Sequence, residues 1–248
     1  MLTILKFKFI LINMNILRQP IRYVNFNVTY WLIGINILVF AAMYFFGKTP
    51  AGELDISALQ LTDNFGRYID RGLLSLENVL AMMPYAVIKN GAVWTFITYM
   101  FMHGGISHIF FNMFALYIFG LSVERQLGSW EFLLFYLVTG VLAGIFSFIV
   151  YYLTGNYLVS LVGASGAIYA VQLAYAVCFP NAVIHIWGIL PIRAPVMVLV
   201  FTALSLFFVF TGRGGNVAHL THLAGFGFAW LYFVIRFGVS PWKRLTGR

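Results

Sequence analysis

Apolar runs separated by short polar intervals divide the chain. The first covers about 28–46, the second about 104–121 and the third about 132–152. Three more follow, at about 163–179, 196–211 and 217–235. A membrane-crossing helix needs about 20 mostly apolar residues, so the pattern predicts an all-α integral membrane protein with a bundle of six transmembrane helices. A longer polar-containing stretch, 47–97, parts the first two runs. The segment AVIHIWGILPIRAP is apolar but is interrupted by Pro191, Arg193 and Pro195. It is too short to cross and is expected to lie at the interface. The opening MLTILKFKFILINMNIL has the lysines and apolar stretch of a signal peptide. Asn13 and Asn15 break its run and no small-x-small cleavage site follows, so it is read as an interfacial segment, with Met14 as a second possible start. The expected organisation is an N-terminal segment 1–27, a six-span domain 28–236 and a basic tail 237–248.

Charge sets the orientation. Lys6, Lys8, Arg18 and Arg22 precede the first run, and Arg236, Lys243, Arg244 and Arg248 follow the last, with no acid among them. The long first loop carries Glu53, Asp55, Asp63, Asp70 and Glu77 against four basic residues. The positive-inside rule then puts both termini in the cytoplasm and that loop outside. Composition agrees with the class: 62% of residues are hydrophobic and 9% charged, where a soluble domain carries about a quarter charged. The net charge of +8 is therefore loop topology. Its basic residues lie at the ends and form no patch, which argues against a nucleic-acid partner. Cys178 stands alone, so no internal disulfide is possible.

The chemistry is in the polar residues that the runs contain. Runs two, four and six all point inward on this topology. His108 and Asn112 share a face of the second, four residues apart. Ser165 opens the fourth, and His222 lies about a turn and a half down the sixth. At 1.5 Å per residue these side chains fall within about 10 Å of one another in depth. Polar groups at membrane depth usually face the bundle interior and serve function. Each alone has a plainer explanation, as helix glue or a helix cap. Together they offer a hydroxyl nucleophile with a base. A serine needs such a base to react, and the bases at hand are imidazoles. No acid lies inside any run, because the two acids outside the first loop, Glu124 and Glu131, sit at a cytoplasmic turn. The arrangement is thus a Ser-His dyad, with Tyr169, one turn below Ser165, placed to stack on His222. The free N–H groups at a helix N-terminus, with Asn112 and His108, could serve an oxyanion. A metal site is the rival, since His108, His219 and His222 are potential ligands, but no carboxylate or Cys lies at their depth. Cys178, roughly 20 Å deeper than Ser165, is read as a core residue. Gly166 with Ala170, and Gly225 with Ala229, form small-xxx-small faces that let helices approach closely. Gly140 and Gly144 are read as ordinary packing residues.

Four segments, HGGISHIFFN (103–112), ERQLG (124–128), GASGAIYA (163–170) and HLAGFGFA (222–229), resemble the rhomboid family of intramembrane serine proteases in motif, order and layout. The resemblance implies a catalytic Ser165–His222 dyad, an oxyanion hole from His108 and Asn112, and support from Tyr169, Gly163, Gly166 and Gly225. It implies no cofactor and no metal. The implied partners are the bilayer and other membrane proteins, whose transmembrane segments are the substrates, in a bacterial inner membrane. It also selects His222 over His219, because HLAG matches the motif. Two positions depart from the family pattern: Thr95 follows Trp94 where Arg is common, which bears on the anchoring of the first loop. Ala229 stands where a second Gly is common, which suggests slightly wider helix packing. Two readings from other classes remain: a transporter or channel, disfavoured by the apolar spans below Asn112 and His222, and a non-catalytic scaffold that binds client helices.

Overall fold

A computed structural model describes residues 18–19, 21–46, 79–186, 189–211 and 216–247. The first-loop acids, the start of the chain, the GRGG stretch at 212–215 and Arg248 lie wholly or largely outside the described residues. The helices are α1 (Val28–Phe46), α2 (Pro84–Asn90), α3 (Thr95–Thr98), α4 (Ile106–Ala115), α5 (Leu121–Leu127) and α6 (Ser129–Leu153). After them come α7 (Ser165–Cys178), α8 (Ala194–Thr211), α9 (Asn216–Tyr232) and α10 (Pro241–Thr246). A π-helical turn, Leu116–Gly120, joins α4 to α5, so the pair runs as one rod. Among the described residues five helices are long and apolar enough to cross a bilayer: α1, the α4–α5 rod, α6, α8 and α9.

The expected fourth span, α7, has 14 residues. That is about 21 Å of helix, short of a hydrocarbon core of roughly 30 Å. Its sequence permits this because α7 is packed in protein. Residues from Gly166 to Val177 are buried on nearly every side, against α9, α6 and α8. The segment expected at the interface takes strand form. Val183–Ile186 and Leu190–Arg193 pair as an antiparallel hairpin, β1–β2, with Ile184 opposite Ile192 and His185 opposite Pro191. A four-residue apolar run has the same hydrophobic look in a strand as in a helix. The fold is therefore helical with one small hairpin.

The two acids of the 124–131 turn hold the helices together at that end. Glu124 is fully buried and takes the place of a local cap for α1. Its carboxylate accepts the N–H groups of Val28 at 2.6 Å and Thr29 at 2.9 Å, and the hydroxyls of Thr29 and Ser129. Free N–H groups at a helix start and a carboxylate satisfy each other in charge and in hydrogen bonding. Glu131, at the start of α6, receives Arg236 in a two-pronged contact at 2.8 and 2.7 Å, and the Tyr232 hydroxyl at 2.5 Å. Replacing Glu124 with alanine strands four donors, two of them backbone. Unpartnered buried donors cost about 1–3 kcal/mol each, so the unfolding midpoint in detergent should fall by many degrees. Glu124→Gln, which keeps one acceptor oxygen, should fall less; an unchanged midpoint for Glu124→Ala would refute this role.

Candidate active site

Ser165 is the first residue of α7, and the chain before it has one workable path. Gly163 has φ +116°, a conformation that favours glycine. A Cβ there would stand 2.7 Å from His108 Nε2, so an edge of the imidazole stands close to the backbone two residues before Ser165. The Gly163 N–H donates to the Tyr99 carbonyl at 2.9 Å, and Met82 and Leu161 exchange backbone hydrogen bonds. Tyr99 is itself fixed, because its buried hydroxyl donates to the Gly140 carbonyl at 2.6 Å. The loop entering α7 is thus tied to the segment entering α4.

His222 arrives from α9. Its Nε2 lies 2.9 Å from Ser165 Oγ. Close approach of the two helices makes this possible: a Cβ on Gly225 would sit 2.1 Å from the Gly166 carbonyl oxygen. Beside it, Thr221 Oγ1 and Ser147 Oγ lie 2.6 Å apart, and Ser147 also donates to the Ala143 carbonyl at 2.8 Å. This ties α9 to α6 one residue from His222. Tyr169 stacks on the imidazole with ring centroids 4.1 Å apart and planes 10° from parallel. For Nε2 to face a hydroxyl as acceptor, the ring hydrogen must be on Nδ1. His222 Nδ1 is buried without a hydrogen-bond partner among the described residues. Among the described residues no carboxylate meets the ring; the tyrosine face lies against it.

The other predicted residues divide. His108 reaches the site through its contact with Gly163, and stands 5.0 Å from His103, ring to ring. Asn112 is buried on the expected face, but its amide donates to the His108 carbonyl on its own helix at 2.9 Å. In this geometry it braces the helix that carries His108. His219 stacks on Phe208, centroids 4.7 Å apart, and meets His222 edge-on at 5.8 Å. Among the described residues no three His, Cys, Asp or Glu side chains gather as a metal site. Cys178 closes the far end of α7. Trp94 anchors its loop without an arginine: the indole N–H donates to the Val79 carbonyl at 3.0 Å, and Thr95, fully buried, donates to the Ala92 carbonyl at 2.6 Å. Ala229 is fully buried, and the tight helix contact is one turn earlier, at Gly225. Sequence reasoning missed Ser147 and Tyr99, whose long-range partners leave no local pattern.

Comparison with known proteins bears on the same segments. The family model described as the Rhomboid domain matches residues 90–239. The chain belongs to the rhomboid family. Rhomboid protease GluP of Bacillus subtilis is 37% identical over 111 residues, 44% of this chain and 22% of that protein. Rhomboid-related protein 2 of Mus musculus is 32% identical over 171 residues, 65% of this chain and 52% of that protein. Rhomboid protease GlpG of Haemophilus influenzae is 30% identical over 159 residues, 63% of this chain and 79% of that protein. The chain spans about a fifth to a half of the first two. Rhomboid membership and the apolar helices together make this an integral membrane protein.

Proposed function

We propose that this rhomboid is an intramembrane serine endopeptidase, with Ser165 as nucleophile and His222 as general base. The observation that carries the reading is the 2.9 Å contact between Ser165 Oγ and His222 Nε2. Nε2 takes the hydroxyl proton as Oγ bonds to the scissile carbonyl carbon. The carbonyl oxygen becomes an oxyanion facing the backbone N–H of Ser165, at the start of α7, and the His108 ring beside Gly163. Asn112 joins them on turning its amide from the His108 carbonyl. The imidazolium then gives its proton to the leaving amine, and the C–N bond breaks. Water, deprotonated by His222, releases the acyl group and restores Ser165. The substrates are transmembrane segments of other membrane proteins, and these must unwind locally, because a helix engages its own carbonyls. The shortness of α7 supports a Ser165 that lies below the surface, and the excess of basic residues near both ends of the chain supports cytoplasmic termini. The protease unit is 28–236 in the bacterial inner membrane, flanked by the segment 1–27 and the tail 237–248.

A fluorophosphonate probe tests this. The wild-type protein in proteoliposomes should label, Ser165→Ala should not, and cells with Ser165→Ala should lack the cleavage fragments seen with wild type. Folded wild-type protein that takes no label, with client turnover unchanged in Ser165→Ala, would overturn this reading and favour the non-catalytic scaffold.

A further inference from the structure

Helix α8 meets the site along one face. Phe201, Ser205 and Phe208 recur at the four- and seven-residue spacing of a single helix face. Phe201 lies 6.1 Å from the Tyr169 ring and Phe208 stacks on His219. The rest of this half of α8 is open: Leu199, Leu204, Phe207 and Phe210 are 65%, 46%, 52% and 84% exposed. Beyond Val198, Ser205 is the one fully buried residue of α8, at 2% exposure. A buried hydroxyl on this open half of the helix calls for a partner, and the Tyr169 side chain lies within its hydrogen-bonding reach. Tyr169 is in turn the ring against which His222 stacks.

We propose that Ser205 is a positioning residue for the dyad: its contact fixes the Tyr169 ring, and through that ring the orientation of His222, so that the seating of α8 determines whether the site is competent. The inference rests on the protease reading and adds a role that the dyad alone does not require. With no partner on Nδ1 among the described residues, the imidazole depends on the stacked ring for its angle, and the ring depends on one hydroxyl of a sparsely packed helix. Displacing α8 pulls Ser205 from Tyr169 and frees the base to tilt.

The test separates chemistry from substrate entry. Labelling by a small fluorophosphonate and turnover of a transmembrane substrate are measured in proteoliposomes for wild type, Ser205→Ala, Ser205→Thr, Tyr169→Phe and the Ser205→Ala/Tyr169→Phe double variant. Ser205→Ala and Tyr169→Phe should each slow labelling and lower kcat about fivefold, the scale of one neutral hydrogen bond, with KM within about twofold. The double variant should be no slower than either single variant, because both remove one bond. Ser205→Thr, which keeps the hydroxyl, should restore the rate. Labelling of Ser205→Ala at the wild-type rate, with only KM changed, makes Ser205 a gate or packing residue and overturns the inference, as does an additive double variant. If Ser205→Ala does not fold, Tyr169→Phe at the wild-type labelling rate overturns it equally. Wild-type protein that takes no label removes the protease reading itself, and this inference with it.

Discussion

His222→Ala is expected to lower both turnover and fluorophosphonate labelling by about a hundredfold to ten-thousandfold, the range general-base catalysis supplies. The size follows from how little could replace it. Ser165 Oγ has His222 Nε2 at 2.9 Å, and the two acids near the helix turn are engaged elsewhere, Glu124 by α1 and Glu131 by Arg236. His219 is the nearest imidazole in sequence, but its ring lies on Phe208 and meets His222 by an edge. It cannot swing to Ser165 without leaving that stack. The fold should survive, since Thr221 and Gly225 on either side keep α9 on its neighbours. The unfolding midpoint of His222→Ala should therefore stay within a few degrees of wild type while the rate collapses. Wild-type turnover in this variant would show that the dyad does not operate.

That Ser165, His222 and Tyr169 meet was legible in the sequence for a particular reason. Ser165, His222 and Tyr169 are polar or small exceptions in apolar runs, and helix rise converts sequence position into depth. The glycines supplied the second half, since small residues at four-residue spacing mark a close helix approach, which the Gly225–Gly166 contact bears out. What the sequence hid is long-range or directional. Nothing near Val28 announces that Glu124 caps it. Glu131 reads in the sequence only as an acid at a turn, and nothing near it announces Arg236 and Tyr232, a hundred residues away. Asn112 was placed on the right face, yet spacing says nothing about a side-chain torsion, and its amide turns to His108. The β1–β2 hairpin was missed because four apolar residues carry no period long enough to tell strand from helix. The shortness of α7 escaped for a related reason: a hydropathy pattern does not tell a helix sheathed in protein from one bathed in lipid.

Gly225→Ala makes the strongest case that helix separation, and not residue chemistry, sets the rate. The new methyl would stand 2.1 Å from the Gly166 carbonyl oxygen, where contacts under 3.0 Å essentially never occur. The obstacle is the Gly166 carbonyl, backbone in the first turn of α7, so no side chain can swing aside. The helices must part by about 1 Å, and a misplacement of that size at reacting groups costs about a hundredfold in rate. Stability should move far less, because alanine gains about 1 kcal/mol of helix propensity over glycine, which offsets part of the lost packing. The expected signature is a rate down about a hundredfold with a modestly lowered unfolding midpoint. Gly227→Ala is the control on the same helix: a Cβ there meets nothing within 4 Å, so the rate should hold and the midpoint rise slightly. If Gly225→Ala turns over substrate like wild type, the Ser165–His222 distance tolerates a shift of α9, and the small residues of that face serve assembly rather than catalysis.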